Sequence, residues 1–227
     1  MLHTRICDVF GITHPIINAP MSGGATAALA GAVSAAGGLG LIGGTTPGGA
    51  AWLRAQMRLV REQTDRPFGV GFISSFPGLD DLVRVALEER VAVISYSFAD
   101  PAPYVAPAHA AGVKIVAQVQ TVAHATHAAH AGVDAIVAQG TEAGGHTGTR
   151  CATLPLVPAV IDAVGTVPVV AAGGIADGRG LAAALMLGAE GAWLGTRFVA
   201  SQEWAGEARA GARRGGGGRR HGAHAGL

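Results

Sequence analysis

The sequence predicts an α/β protein built as a closed (β/α)8 barrel of the TIM-barrel class, and three observations lead to this fold. Eight short apolar runs alternate with Ala-rich stretches of helical composition along the 227-residue chain. The runs are apolar at nearly every position, as parallel strands covered on both faces must be. Glycines stand where helical stretches end, as helix C-termini favour, and they are Gly37, Gly112, Gly132 and Gly188.

The predicted elements alternate along the whole barrel. Strands are placed at 15–20, 38–44, 67–73, 91–98, 113–119, 134–140, 167–174 and 191–198. Helices are placed at 25–36, 49–64, 78–89, 101–112, 121–132, 154–164 and 177–188. Eight strands separated by helices is the count of a closed parallel barrel, whose ligands bind at the loops that follow the strands. An open doubly wound sheet is the alternative, disfavoured because the motifs described below follow the sixth, seventh and eighth strands.

The composition excludes several classes of protein. Hydrophobic residues make up 49% of the chain, which is enough for a full core, and the net charge is +1. That charge gives no reason to expect nucleic acid or an anionic membrane as a partner. No apolar run reaches the roughly 18 residues of a membrane span, and no signal peptide is visible. We therefore expect a cytoplasmic protein, and a homodimer is compatible with the sequence.

The chain divides into a barrel at 1–204 and a tail at 205–227 of different composition. The tail, "AGEARAGARRGGGGRRHGAHAGL", has no apolar periodicity and holds five of the fifteen arginines. We expect it to be disordered, because it has almost nothing to bury. A basic arm that binds nucleic acid and a frameshifted or truncated product are the alternatives.

Glycine-rich motifs end the seventh and eighth predicted strands. The glycines of "AAGGIADGRG" (171–180) let the backbone approach a ligand, and the following helix would present N–H groups at its N-terminus. Barrels frequently bind phosphate with these two loops. The alternative is ordinary glycine-rich turns. The residues proposed to bind the ligand here are Gly173, Gly174, Trp193, Leu194, Gly195 and Thr196.

Two further motifs carry candidate ligand contacts. In "NAPMSGG" (18–24), Ala19 and the soft side chain of Met21 would suit the face of a flat ring, and a turn with a core methionine is the alternative. In "QGTEAGGHTGT" (139–149), the amide of Gln139 could bond a heterocycle edge or a ribityl hydroxyl, unless it is a satisfied core glutamine.

The same loop supplies the candidate catalytic residue. Gly144 and Gly145 allow a close approach of the backbone to a ligand, and His146 follows them directly. A histidine on the ligand-binding face can act as acid, base or donor near neutral pH. A structural loop histidine is the alternative, and the role of Glu142 is left open.

No metal site is expected. Three histidines recur at every third position, but they lie on a helix of the outer ring, so we expect them on a solvent-exposed face and not in a metal site. These histidines are His124, His127 and His130. Zinc spacings and the G-x-S-x-G nucleophile motif are both absent from the sequence.

Five segments together resemble the nitronate monooxygenase family, formerly called 2-nitropropane dioxygenases, over roughly residues 5–203. They are "NAPMSGG", "AAGGLGLIGG", "QGTEAGGHTG", "AAGGIADGRG" and "GAEGAWLGTRF". The resemblance implies an FMN-dependent barrel in which His146 is the catalytic histidine. It implies FMN contacts at Gln139 and Gly144, phosphate contacts at Gly173, Gly174, Gly195 and Thr196, and isoalloxazine contacts at Ala19 and Met21.

The implied activity is oxidation of alkyl nitronates or nitroalkanes by O2 to carbonyl compounds and nitrite. An FMN-dependent enoyl-acyl-carrier-protein reductase and an NAD(P)H:quinone reductase are alternatives. A non-catalytic or inactive truncated flavin-binding protein is another. The sequence departs from the family pattern in having Gly71 where many members carry an asparagine, and in lacking the additional helical structure of longer family chains.

Overall fold

Eight parallel strands form one sheet, which confirms the predicted (β/α)8 barrel. The computed structural model describes residues 2–146, 148 and 150–206. The strands are β1 (Ile16–Asn18), β2 (Gly40–Gly43), β3 (Phe68–Ile73), β4 (Val93–Ser97), β5 (Lys114–Val119), β6 (Ala135–Gln139), β7 (Val169–Ala172) and β8 (Gly191–Leu194). Around the sheet the strands follow the order β1-β8-β7-β6-β5-β4-β3-β2, so each strand lies beside its neighbour in the chain.

Helices connect the strands and cover the outside of the sheet. They are α1 (Arg5–Phe10), α2 (Ala27–Ala35), α3 (Gly49–Gln63), α4 (Leu79–Glu88), α5 (Ala102–Ala110), α6 (Val122–Ala131), α7 (Thr153–Val164) and α8 (Gly178–Met186). Each predicted helix is present, and α1 is an additional helix that periodicity did not predict. From position 207 the tail lies outside the described residues, so its disorder and the boundary at 204/205 stay predictions.

The predicted strand at 191–198 is wrong in its second half. Strand β8 ends at Leu194, and Thr196–Ala200 forms a 3-10 helix in which the Phe198 amide bonds the carbonyl of Gly195 at 2.9 Å. The chain then returns across α2, where Phe198 and Trp204 pack beside Leu29. Phe198 led the predicted strand too far, because it is apolar for packing on α2 and not for pairing in the sheet.

One apolar layer fills the inside of the barrel. It comes from alternate strand positions, as the two-residue period of a strand requires, and its larger members are Ile17, Leu39, Leu41, Val93, Val116, Val137, Val170 and Trp193. Ile6, Cys7 and Phe10 of helix α1 join this layer and close the amino end of the barrel. The Arg5 guanidinium holds α1 there by bonding Glu190, the residue before β8, at 2.7 Å.

The seam between β1 and β2 is closed by a side chain. These strands share a single bridge, from Ile17 to Leu39, whereas each of the other seven neighbouring pairs forms a ladder of at least three residue pairs. Asn18 is fully buried, its Nδ2 donates to the Leu41 carbonyl at 2.8 Å, and its Oδ1 accepts from the Leu41 amide at 2.8 Å. The carboxamide therefore acts as a peptide group of a neighbouring strand.

Asp134 ties three elements together at the amino end of the barrel. Its carboxylate accepts from the Ile115 amide at 2.8 Å and from Lys114 Nζ at 2.9 Å, and it lies 2.9 Å from His109 Nε2. Burial alone would raise the pKa of Asp134, but these hydrogen bonds outweigh burial and lower its pKa. The carboxylate therefore links the end of α5 to the starts of β5 and β6.

Replacing Asn18 should open the seam. The Asn18→Leu variant leaves the Leu41 amide and carbonyl buried without partners, so we expect the free energy of unfolding to fall by about 2–4 kcal/mol. Urea denaturation at equilibrium measures this loss. The control is Gln63→Leu, which removes an exposed amide that bonds the carbonyls of Ala27 and Leu59. Equal losses in the two variants would show that the seam does not depend on Asn18.

Asp134 should make stability depend on pH in the acid range. A carboxyl whose folded pKa is lowered stabilises the fold above its unfolded pKa of about 3.9, and this contribution is lost as pH falls through the folded pKa. We therefore expect Asp134→Asn to be less stable than the parent at pH 7 and to lose less stability between about pH 5 and pH 3.

Thermal unfolding across this pH range gives the comparison, and Asp162→Asn, at an exposed position of α7, is the control. Parallel pH profiles for Asp134→Asn and the parent would contradict the role given to Asp134.

Candidate active site

The motifs predicted to bind a ligand meet at the carboxyl ends of β1, β8, β7 and β6, which are consecutive around the sheet. A Cβ added at Gly195 would lie 3.4 Å from Ala19 Cβ and 3.5 Å from Met21 Sδ, so the ends of β8 and β1 are in contact. A Cβ added at Gly144 would lie 2.5 Å from Thr196 Oγ1, so the loop after β6 reaches the end of β8.

Main-chain amides at the ends of β7 and β8 are left without hydrogen-bond acceptors among the described residues. Gly173 and Gly174 have positive φ, at 115° and 72°, which favours glycine. The amides of Gly173, Gly174, Gly195 and Thr196 have no hydrogen-bond acceptor among the described residues. Unpaired main-chain N–H groups suit an anion, and barrels often bind phosphate with the loops after these two strands.

The start of helix α8 differs from the expectation that its amides are free for a ligand. Asp177 Oδ1 accepts from the Arg179 amide at 2.9 Å and from the Gly180 amide at 3.3 Å. The Arg179 guanidinium and these amides lower the pKa of Asp177 to about 2. Asp177 therefore caps α8, and the amides of Arg179 and Gly180 are not free for an anion.

The other residues predicted to contact the ligand differ in how exposed they are. Ala19 and Met21 are partly buried at the end of β1, and Met21 also packs on the cluster of Ala25 and Leu29. Trp193 is 4% exposed and its side chain belongs to the inner layer of the barrel, while Leu194 is 8% exposed. Trp193 and Leu194 can therefore contribute little beyond main-chain atoms to a ligand on the rim.

Gln139 and His146 are joined by a residue that the sequence reasoning missed. Gln120 follows β5, and its Nε2 donates to Gln139 Oε1 at 2.7 Å and to the His146 carbonyl at 3.2 Å. Its Oε1 accepts from the Gly148 amide at 3.1 Å. His146 is exposed, and Gly145 beside it has φ of 82° with open space around its α-carbon.

Phe98 is a second residue that the sequence reasoning missed. Its ring centroid lies 6.0 Å from that of His146, and 39% of the residue is exposed. Its φ is 75°, a left-handed conformation that costs a residue with a side chain about 1–2 kcal/mol. Such strain is concentrated at functional sites. The only signal in the sequence was the position of Phe98 at the end of the strand predicted at 91–98, and β4 ends one residue earlier, at Ser97.

Glu142 braces the loop and does not bond His146 in the described part of the chain. Its Oε2 accepts from the Thr153 amide at 2.9 Å and from Thr153 Oγ1 at 3.0 Å, at the N-terminus of α7. Burial alone would raise the pKa of Glu142, but the bonds from Thr153 and Thr141 outweigh it and lower the pKa. A charged carboxylate is also favoured at a helix N-terminus.

At the end of β3, Gly71 leaves no space for a larger residue. An added Cβ would meet the ring of Pro20 and would lie 2.6 Å from Ser95 Oγ. Ser95 is fully buried, and its hydroxyl has no hydrogen-bond partner among the described residues. The ring of Pro20 therefore occupies the space into which an asparagine at position 71 would extend.

The histidines of α6 lie away from this site. All three are exposed, and His127 Nε2 lies 2.9 Å from the Asp100 carboxylate, while His124 and His130 share the same outer helix. Within the described ranges, no three His, Cys, Asp or Glu side chains are grouped as a metal ion would need. None of the helices in those ranges has the length and apolarity that crossing a membrane requires.

A family model described as nitronate monooxygenase matches residues 3–82 and 73–213. The chain belongs to the nitronate monooxygenase family. This membership confirms the resemblance that the five sequence motifs predicted.

Several relatives within and around the nitronate monooxygenase family carry different names. A Pseudomonas aeruginosa protein named nitronate monooxygenase is 39% identical over 246 residues, covering 88% of this chain and 70% of the relative. A Mycobacterium tuberculosis protein is 40% identical over 204 residues, covering 89% of this chain and 57% of the relative. It is named (3aS,4S,5R,7aS)-5-hydroxy-7a-methyl-1-oxo-octahydro-1H-indene-4-carboxyl-CoA dehydrogenase.

Among solved structures, FabK from Thermotoga maritima superposes with a TM-score of 0.87 at 44% identity, covering 90% of this chain and 65% of that chain. The chain thus spans a little over half the length of the M. tuberculosis dehydrogenase and about two thirds of FabK. The barrel with its strand-end loops is the part that these proteins share.

The described residues of this nitronate monooxygenase family member fit a flavin mononucleotide. The four unpaired amides at the ends of β7 and β8 suit its phosphate, and glycines beside them leave room for the approach of a ligand. Gln139 is buried at the adjacent strand end, with an amide nitrogen that has no partner among the described residues.

The glycine at position 173 should be required for both stability and anion binding. An alanine there would be strained at a φ of 115°, and its Cβ would lie 2.6 Å from Thr153 Oγ1. We expect Gly173→Ala to lower the free energy of unfolding by about 1–3 kcal/mol and to weaken FMN binding.

The matched control is Gly178→Ala, five positions later, at the first residue of α8. A Cβ at Gly178 meets nothing within 4 Å, and its φ is not positive, so its stability should stay within about 0.5 kcal/mol of the parent. Urea denaturation and fluorescence titration with FMN measure both effects. Similar results for the two variants would show that the close packing at 173 is unimportant.

Proposed function

We propose that this chain is an FMN-dependent oxidoreductase that oxidises alkyl nitronates or nitroalkanes with O2 to carbonyl compounds and nitrite. The observation that supports this most strongly is the pairing of a cradle of unpaired amides with a loop histidine on one barrel rim, in a chain of the nitronate monooxygenase family. When bound, FMN supplies the redox chemistry by taking electrons from the substrate and passing them to O2.

In this proposal the protein binds the cofactor largely through its main chain. The amides after β7 and β8 hold the FMN phosphate, and their glycines allow the backbone to approach it closely. Ala19 and Met21, beside Gly195, provide a small and soft surface for the flavin ring. Gln139 bonds the edge of that ring from the end of β6.

His146 acts on the substrate. Its imidazole donates a hydrogen bond to the nitro group of a nitronate, which is already an anion, or accepts the α-proton of a neutral nitroalkane. The exposed ring of Phe98, 6.0 Å from the imidazole, gives one apolar wall for an alkyl chain. The strained backbone of Phe98 supports such a role, because strain is retained where a side chain must face a ligand.

A second candidate function is oxidation or reduction of an acyl thioester. The M. tuberculosis relative named a CoA dehydrogenase is as similar to this chain as the P. aeruginosa nitronate monooxygenase, at 40% and 39% identity. Anaerobic mixing distinguishes the candidates once the purified protein is shown to be yellow. Bleaching of the flavin by a nitronate favours the first function, and bleaching by NAD(P)H or an acyl-CoA favours the second.

The histidine can be tested separately from the cofactor. We expect His146→Ala to keep its FMN and to lose at least about 100-fold in turnover of nitronate or nitroalkane, because a positioned acid or base contributes that much. His124→Ala, on the exposed face of α6, is the control and should match the parent. Full turnover in His146→Ala would remove the histidine from the mechanism, and loss of FMN would assign it to binding.

A further inference from the structure

Gln120 forms hydrogen bonds with two main-chain groups of the loop that carries His146. These bonds fix the orientation of the Gln120 carboxamide. The Gly148 amide can only donate, so it must face Gln120 Oε1, at 3.1 Å. The His146 carbonyl can only accept, so it must face Gln120 Nε2, at 3.2 Å. Both requirements agree, and the orientation of Gln120 follows from groups whose hydrogen-bonding roles cannot change.

The orientation of Gln120 determines that of Gln139. Because Gln120 Nε2 is a donor, the atom of Gln139 that faces it at 2.7 Å must be the acceptor Oε1. Gln139 Nε2 is then directed away from Gln120 and has no partner among the described residues. Gln139 is 5% exposed, so the unpaired donor belongs to a side chain that is otherwise enclosed.

We propose that Gln120 is a positioning residue that makes Gln139 a hydrogen-bond donor towards the ligand while it anchors the His146 loop. This rests on the proposed flavin site. It specifies that Gln139 meets an acceptor on the cofactor, such as a carbonyl oxygen or an unprotonated ring nitrogen, and not a hydroxyl that needs an acceptor.

Two substitutions at position 120 separate the two roles. In Gln120→Glu a carboxylate oxygen still accepts from the Gly148 amide, but the donor to Gln139 and to the His146 carbonyl is lost. Gln139 should then turn its nitrogen towards Glu and present an oxygen to the ligand. In Gln120→Met all three contacts are lost, and Gln139 is free to adopt either orientation.

The hydrogen bonds from Gln120 to the His146 loop, which we call the anchor, are tested without any cofactor. Arg150 is exposed, two residues after Gly148, and offers trypsin a cleavage site in the loop. We expect cleavage after Arg150 to be at least about 5-fold faster in Gln120→Met than in the parent, and intermediate in Gln120→Glu, which keeps one of the two loop contacts, because local opening follows lost hydrogen bonds. Equal rates in all three proteins would refute the anchor.

The control of Gln139 by Gln120, which we call the relay, is tested by FMN titration and by the midpoint potential of the bound flavin. Loss of one donor should weaken FMN binding by about 10-fold or more in Gln120→Glu. In this variant Gln139 presents an oxygen, an acceptor, in place of its nitrogen donor. This disfavours added electron density on the flavin, so the midpoint potential should fall. In Gln120→Met the midpoint potential should shift less than in Gln120→Glu. A purely structural role of Gln120 would not produce this order.

Two controls isolate the relay from the added charge. Gln202→Glu introduces the same charge at an exposed position and should leave affinity and potential unchanged. The double variant Gln120→Glu with Gln139→Met retains the charge at 120 without the second amide. If Gln120 acts through Gln139, the double variant should bind FMN no more weakly than Gln139→Met alone.

The outcomes distinguish this proposal from the function on which it rests. A parent protein that binds no FMN defeats the proposed function, while the cleavage rates still report on the anchor. A parent that binds FMN, combined with additive losses at positions 120 and 139, retains the proposed function and overturns the relay.

Discussion

The closure of the barrel at the β1–β2 seam is the constraint on which the site depends. Through Asn18, the only asparagine of the chain, the end of β1 is bonded to the main chain of β2 on one side. On the other side, β1 pairs with β8 up to Leu194, and the Ala19 amide bonds the Leu194 carbonyl at 2.8 Å. This places Ala19 and Met21 beside Gly195, where the proposed function locates the flavin ring.

The architecture of the site was predictable from sequence because it is encoded locally. Gly173, Gly174 and Gly195 directly follow apolar runs, so their place on the rim follows from strand order alone. The residues that were missed depend on partners far along the chain. Asn18 bonds Leu41, Gln120 bonds Gln139, and α1 packs inside strands from the whole barrel. Helix α1 is also too short, at six residues, to display a helical period.

Glu142 illustrates how sequence can identify a residue and leave its role open, and Asp177 has a similar role that the sequence analysis did not predict. Both carboxylates lie in glycine-rich loops. Each bonds main-chain amides at the start of the next helix, Glu142 at α7 and Asp177 at α8. A loop carboxylate close to a helix start can serve the helix or a ligand, and only the folded geometry separates these roles.

This internal capping bears on where the phosphate of the proposed cofactor would bind. A helix N-terminus attracts anions, but at α7 and α8 that position is already held by a carboxylate of the protein. A phosphate would meet negative charge there and would have to displace existing hydrogen bonds. The amides of Gly173, Gly174, Gly195 and Thr196 have no acceptor among the described residues, so an anion could bind them without displacing a carboxylate. Asp177 lies in the loop that begins with Gly173 and Gly174, so the carboxylate that occupies the start of α8 also ties that loop to the helix.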